Sequence, residues 1–373
     1  MIPIKGKAPL NQSYSFSIGN QFNLFNHPLG FLTSLTYNRN FSFYNNGRYM
    51  RWRLTGHDTT KTSLDNEFDL NDTKSVDEVL WGGLLKISYK LYHSNKISLN
   101  GIYNRNGEST SRILEGSYPY DIDPDWVFKS SALQYNERIL KSIQLNGDHK
   151  TVFGARIEWR TSFSNSTQDE PDLRYFTHYI SDEWVYGIKS NLTPERYFRF
   201  MEENRREATL DISIPFKQWK GRSSTFKFGG LYAAKSRDFS ERLFKYQPVN
   251  GISKTFREVQ GNVDLLFADE NLGVIDTTVA PNGNQYYDFG ITISEIDQKS
   301  NNYIGDQTIS AFYSMLEIPI IANLRFIAGA RYETTNMTVI SQDTTKDIGR
   351  LDTKDILPAV NLIYSLFNNI SLL

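Results

Sequence analysis

Hydrophobic and polar positions alternate with period two along most of this chain. Tyr14, Phe16 and Ile18 are interleaved with Ser13, Ser15 and Ser17, and Phe31, Thr33, Leu35 and Tyr37 with Leu32, Ser34, Thr36 and Asn38. The pattern returns at Trp81 to Leu91, Ile97 to Tyr103, Leu133 to Leu145, Ala208 to Phe216 and Phe226 to Ala234. It is cleanest where Phe153, Ala155, Ile157, Trp159, Thr161 and Phe163 alternate with Gly154, Arg156, Glu158, Arg160 and Ser162. Near the end come Ile309, Ala311, Tyr313 and Met315, then Leu324 to Tyr332, then Ile356 to Tyr364. Successive strand side chains point to opposite faces, so each run has one apolar and one polar face. The pattern predicts about eleven strands, each matching the ~9–11 residues a tilted strand needs to cross a bilayer.

The connections alternate in length. Short turns are expected near Asn26-His27-Pro28, His93-Ser94-Asn95, Asp148-His149-Lys150, Lys220-Gly221-Arg222, Pro319 to Asn323 and Asn368-Asn369. Long loops are expected at 45–78, 105–126, 165–204, 236–304 and 342–353. Short turns at one end and long loops at the other describe an up-and-down antiparallel barrel of the outer membrane, with short periplasmic turns and long extracellular loops. Charge fits the same picture. Arg156, Glu158 and Arg160 cannot face lipid, where a midplane Arg costs ~2–4 kcal/mol, so their face is assigned to a wet interior and Ile157 and Trp159 to lipid. A soluble β-sandwich with apolar faces inward is the competing arrangement, and the one-sided distribution of loop lengths disfavours it.

Composition narrows the classes. The chain has 373 residues, a net charge of -1, 14% aromatics and no cysteine. Near-neutral charge argues against nucleic acid as a partner. Without cysteine there is no disulfide, thiolate metal site or cysteine nucleophile. No stretch approaches the ~18 consecutive apolar residues of a transmembrane helix. Aromatics gather at the ends of the apolar runs, as at Phe22, Phe25, Trp81, Tyr89, Tyr92, Phe163 and Trp219, where interfacial girdles favour them. Met1 to Gly6 carry neither the basic nor the apolar region of an export signal. With an odd strand number, this leads us to expect an internal section of a larger barrel, because a barrel's first and last strands must pair.

Several stretches resemble the barrel of TonB-dependent outer-membrane receptors of the Bacteroidetes type. They are Ile4 to Pro9 leading into Ser13 to Ser17, Leu29-Gly30-Phe31 with Leu35-Thr36-Tyr37, and Arg205 to Leu210. The most telling are Ala328-Gly329-Ala330-Arg331-Tyr332-Glu333 and Asp355 to Leu362, which resemble the family's consecutive "AGxRYE"-like and "LPxxNL"-like strands. The resemblance implies an all-β fold. It makes residues 1–373 one partial barrel domain, the N-terminal half of a barrel of about 22 strands, without signal peptide or plug. It implies TonB-energised uptake of a nutrient ligand such as a siderophore, vitamin, oligosaccharide or peptide. The implied partners are an energy-coupling TonB-type protein acting through the plug, the lipid bilayer with lipopolysaccharide, and the ligand. A passive porin-like or adhesin barrel, and a soluble glycan-binding β-protein, are the alternatives.

No enzyme motif is found, and no cofactor is expected. The five histidines, His27, His57, His93, His149 and His178, are scattered and read as solvated. Asp65, Glu67, Asp69 and Asp72, and also Asp121, Asp123 and Asp125, have the alternate spacing of a calcium loop. They lack the Gly at position 6 and Glu at position 12 of an EF-hand, so they read as solvated loop carboxylates and no metal is expected. Aromatics on long external loops suit ligand capture. Tyr175, Tyr179, Trp184 and Tyr186 in one loop, with Tyr286 and Tyr287 in another, are the expected ligand-binding residues.

Overall fold

A computed structural model describes residues 3–54, 60, 63–92, 94–181, 186–188, 193–219, 221–248, 256–367 and 370–372. The long strands are β1 (Gln12–Leu24), β2 (His27–Arg53), β3 (Asp65–Leu91), β4 (Asn95–Ser117), β5 (Val127–Lys150), β6 (Arg156–Ile180), β8 (Glu195–Lys217), β9 (Ser223–Pro248), β13 (Tyr303–Ile321), β14 (Leu324–Ser341) and β15 (Gly349–Phe367). Short pieces are β7 (Tyr186–Gly187) and β16 (Ile370–Leu372). An excursion between β9 and β13 holds α1 (Val263–Leu266), β10 (Val274–Val279), β11 (Gln285–Phe289) and β12 (Ile291–Ile296).

Each long strand pairs antiparallel with its chain neighbours, in the order β1-β2-β3-β4-β5-β6-β8-β9-β13-β14-β15-β16. Among the described residues β1 and β16 do not pair with each other, and the sheet is open. The eleven strands expected from alternation are therefore the eleven long strands.

The register lays the apolar runs side by side on one face. Tyr14, Tyr37 and Trp81 are directly opposed across β1, β2 and β3. Leu99, Leu145 and Thr161 are opposed across β4, β5 and β6. Phe326 and Leu362 are opposed across β14 and β15. Much of this face is uncovered: Trp81 is 54% exposed, Phe16 61%, Val360 67% and Ile356 72%. A soluble sandwich would bury this face. Along β3 the belt runs from Trp81 to Tyr89, about 27 Å of strand at ~3.4 Å per residue, which suits the ~25 Å apolar band of an outer-membrane barrel.

The opposite face is concave. A hollow of about 960 Å³ is lined by residues of that face from eight strands, among them Gln21, Gly30, Ser88, Lys96, Asp148 and Arg156. Arg156 bridges Asp148 at 2.7 Å and Glu158 at 3.1 Å. The charged face of β6 thus lines the hollow, as its sequence requires.

Three expectations are corrected. The apolar face of β13 is not Ile309, Ala311, Tyr313 and Met315. The register opposes Phe312 to Gly230 and Tyr332, and Leu316 to Phe226 and Ala328, so the even positions join the belt. Tyr313 faces the hollow side and donates to Asp211. β13 is apolar on both sides, which makes its phase ambiguous until its neighbours fix it. Phe153 also lies off the belt, in the turn between Lys150 and Arg156, and is 91% exposed. The long loops are largely continued strand: β2 runs to Arg53 and β3 begins at Asp65, so most of 45–78 is ladder.

The turns follow local chemistry. β1 and β2 join through Phe25 and Asn26, whose φ values of 50° and 63° make a two-residue turn with Leu24 opposite His27. Paired positive φ values match the right-handed twist of a hairpin.

Candidate functional site

The strands outlast the belt at the long-connection end, and there β6 changes phase. Three residues of β5 (134–136) oppose four of β6 (170–173). The extra residue is a bulge containing Pro171, which has no N–H to give the ladder. Beyond it, Leu173 opposes Tyr197 and Tyr175 opposes Glu195. Odd positions of β6 now line the hollow side, and even positions point outward.

Two clusters form on the two faces of this upper end. On the hollow side, Phe68, Leu70, Ile122 and Phe128 are buried together, with Tyr118, Trp126 and Tyr179 against them. The connection between β4 and β5 therefore folds over this face. Trp126 stacks on Tyr179 with centroids 4.9 Å apart and planes 10° apart. Tyr179 also lies over Gly187 of β7, where an added Cβ would come within 2.2 Å of the ring.

Beside them, Tyr175 meets Tyr197 edge-on at 6.1 Å. Tyr197 donates to Glu195 at 2.8 Å, and Glu195 pairs with Lys245 at 2.7 Å. Burial and that carboxylate raise the Tyr197 phenol well above its ordinary range. The Arg199 guanidinium lies 4.5 Å over the Tyr197 ring and bridges Glu241 at 2.5 Å and Glu170 at 3.3 Å. The lumen-side face at the long-connection end therefore carries aromatic rings held by a neutralised charge network. Such a surface binds flat or ring-shaped solutes by stacking and hydroxyls by hydrogen bonds.

On the outward side, Phe176, Ile188, Tyr246, Phe256, Val263, Leu266 and Ile291 form a second core. The excursion between β9 and β13 is anchored there. Asn262 caps α1 by accepting from the N–H groups of Asp264 and Leu265. His178 lies between Phe176 and Phe256, at 5.2 and 5.4 Å, with Nδ1 buried and unbonded. Burial, with the nearby Lys129 charge, lowers its pKa to about 4. It is neutral and enclosed rather than solvated, which corrects the sequence expectation. His149 accepts from Trp159 Nε1 at 3.0 Å. His57 and His93 lie outside the described residues.

The expected ligand residues are divided. Tyr175 and Tyr179 share the hollow side. Tyr186 pairs through its backbone with Ile180. Trp184 lies outside the described residues. Tyr286 and Tyr287 sit on the β10–β11 hairpin, 57% and 52% exposed, on the excursion anchored to the other face. Trp126 and Arg199 join them without having been singled out by sequence.

The run Asp65 to Asp72 is strand with arginine partners, not solvated loop carboxylate, whereas Asp121, Asp123 and Asp125 lie in the connection between β4 and β5. Arg112 grips Asp72 through two bonds of 2.9 Å and holds its carboxyl below the usual range. Arg48 holds Asp69, and Arg51 lies 3.3 Å from Glu67. Among the described residues no group of three or more His, Asp or Glu is placed to hold a metal.

A family model for the TonB dependent receptor-like β-barrel matches residues 172–373, more than half of the chain. The chain belongs to the TonB-dependent receptor β-barrel family. No curated protein matches it. Membership accounts for the exposed belt and the polar hollow together: this is a wall of an outer-membrane receptor and transporter barrel, lipid on one side and the transport lumen on the other. The family match covers the strands from β8 onward, and the antiparallel ladder continues from them to β1.

Proposed function

We propose that residues 1–373 act as one barrel wall and external mouth in a receptor for TonB-energised uptake of a nutrient ligand, with Tyr175, Tyr179, Trp126 and Tyr197 supplying contacts to it. The observation that supports this reading is that the aromatic rings at the long-connection end share a sheet face with the polar, charged hollow at the short-turn end. Tyr286 and Tyr287 give the ligand a second, outer contact on an exposed hairpin. The ligand class is a siderophore, vitamin, oligosaccharide or peptide, each able to stack on tyrosine or tryptophan. The energy-coupling protein acts through a plug inside the wall.

The test is uptake of single candidate nutrients by cells producing the receptor, with and without the inner-membrane proton gradient. Uptake of one nutrient that collapses with the gradient, and falls in Tyr175→Ala and Tyr179→Ala, is the expected result. Gradient-independent flux of many small solutes would make the barrel a passive pore and overturn the reading.

A further inference from the structure

The hollow is unevenly charged where its strands meet the short turns. Lys90, Lys96, Lys150, Arg156 and Asp148 line it there. The register sets Lys90 opposite Lys96, and Lys150 opposite Arg156. Like charges directly opposed across a ladder destabilise it, and here two such pairs occupy neighbouring strands. The local carboxylates do not offset the lysines. Asp148 stands opposite Lys96, but the Arg156 guanidinium takes both of its oxygens, at 2.9 and 2.7 Å, and also reaches Glu158 at 3.1 Å. Lys90, Lys96 and Lys150 are exposed on this face and form no ion pair among the described residues.

The surplus continues further along the strands. Lys86 opposes Asn100 and Arg160 opposes Asn146 on the same face, again with no ion pair among the described residues. On this part of β3 to β6, Lys86, Lys90, Lys96, Lys150, Arg156 and Arg160 therefore face only Asp148 and Glu158. Asp211, the next carboxylate across on β8, accepts from Tyr313 and has Lys227 at 3.9 Å. Elsewhere on this face charges are matched: Arg205 holds Glu207 at 2.6 Å, Arg237 holds Glu203 at 2.5 Å, and Arg331 holds Glu333 at 2.5 Å. The surplus is thus local. Its three lysines at the rim come from adjacent strands, about 10 Å across at ~4.8 Å per strand spacing, and their flexible stems let the ammoniums close on one solute.

We propose that Lys90, Lys96 and Lys150 form an anion seat at the short-turn end of the lumen, and that the nutrient taken up bears more than one negative charge, as phosphate or carboxylate groups. Its oxygens accept from the three ammoniums, which relieves the repulsion between the opposed lysines. An ammonium is a strongly hydrated point charge, without the fixed fork by which arginine grips an oxyanion. Lysines therefore suit an anion that must be let go, while Arg156 is spent on Asp148 and Glu158. The proposal narrows the ligand class of the uptake reading and rests on that reading.

The test is calorimetric titration of the intact receptor, in uncharged detergent at low salt, with pyrophosphate and with citrate. Saturable binding of at least one anion is expected. It should weaken by about tenfold or more in Lys90→Gln/Lys96→Gln/Lys150→Gln, the worth of one charge-assisted hydrogen bond, and stay unchanged in Lys141→Gln, where Lys141 opposes Tyr103 on the outward face. Preference for pyrophosphate assigns phosphate groups to the nutrient, and preference for citrate assigns carboxylates. Lys90→Glu separates binding from architecture: it sets opposite charges across the ladder, so the denaturant midpoint should rise while anion binding falls. Equal binding by the triple variant would overturn the seat. So would a wild type that binds neither anion beside a triple variant that unfolds more readily, which would assign the lysines to an acidic surface of the receptor itself. Gradient-driven uptake of an uncharged nutrient would overturn the anion class alone, whereas gradient-independent flux would overturn the uptake reading beneath it.

Discussion

Acid should release the excursion between β9 and β13 through His178. The imidazole sits between Phe176 and Phe256 with a buried, unbonded Nδ1, and its folded pKa is about 4 against an ordinary 6.5. The docked state holds the neutral form, and the undocked state takes up a proton below about pH 6.5. Docking is therefore fully stable above 6.5 and weakens as pH falls from 6.5 to 4. Each unit in that window removes ~1.4 kcal/mol, giving about 2 kcal/mol at pH 5 and roughly 3 at full effect. Hydrogen exchange of amides 256–296, corrected for intrinsic rate, measures it in the intact receptor. Opening should become about thirtyfold more frequent between pH 7 and pH 5, since ~1.4 kcal/mol is a factor of ten. His178→Phe keeps the ring contacts, removes the titration and should flatten the profile. An identical pH profile in wild type and His178→Phe would refute the mechanism.

Other outcomes follow from packing and belt position. Phe176→Ala should weaken docking of the same excursion by about 3–5 kcal/mol, the usual cost of an emptied aromatic site, seen as fast proteolysis within 256–296. Leu210→Arg should destabilise the barrel in vesicles by ~2–4 kcal/mol in denaturant unfolding, while Thr209→Arg, on the hollow side, should change it little. Gly187→Ala drives a methyl into the Tyr179 ring and should cost ~1–3 kcal/mol, read as lost protection at Ile180. Tyr179→Ala should weaken nutrient binding by roughly two- to tenfold, the worth of one aromatic contact at ~0.5–1.5 kcal/mol. Unchanged affinity would remove Tyr179 from the site.

The strands were legible because a wall between lipid and water enforces period two. Phe16 beside Ser15 and Ser17, or Trp159 between Glu158 and Arg160, leaves one choice of face. Legibility failed where that contrast fades. β13 has Tyr313 and Met315 on one side and Phe312 and Leu316 on the other, so only the register to β9 and β14 sets its phase. Above the belt both faces meet water, strands become polar, and 45–78 looks like loop although most of it is paired. The candidate site sits there, beyond the bulge at Pro171, where one extra residue carries Tyr175 to the hollow side and Phe176 outward. Aromatic content pointed to Tyr175 and Tyr179. Trp126 and Arg199 become visible only once strands and turns are folded together.

The central claim is that one face of this sheet meets lipid and the other lines a wet lumen. The absence of cysteine from the chain makes single-cysteine scanning clean. Spin labels at Leu210→Cys, Ile212→Cys, Phe312→Cys and Ser314→Cys should be relaxed by oxygen dissolved in the bilayer. Labels at Thr209→Cys, Asp211→Cys, Tyr313→Cys and Met315→Cys should be relaxed by a water-soluble nickel complex. Uniform water exposure at both sets, or the opposite phase at Phe312 and Tyr313, would contradict the account.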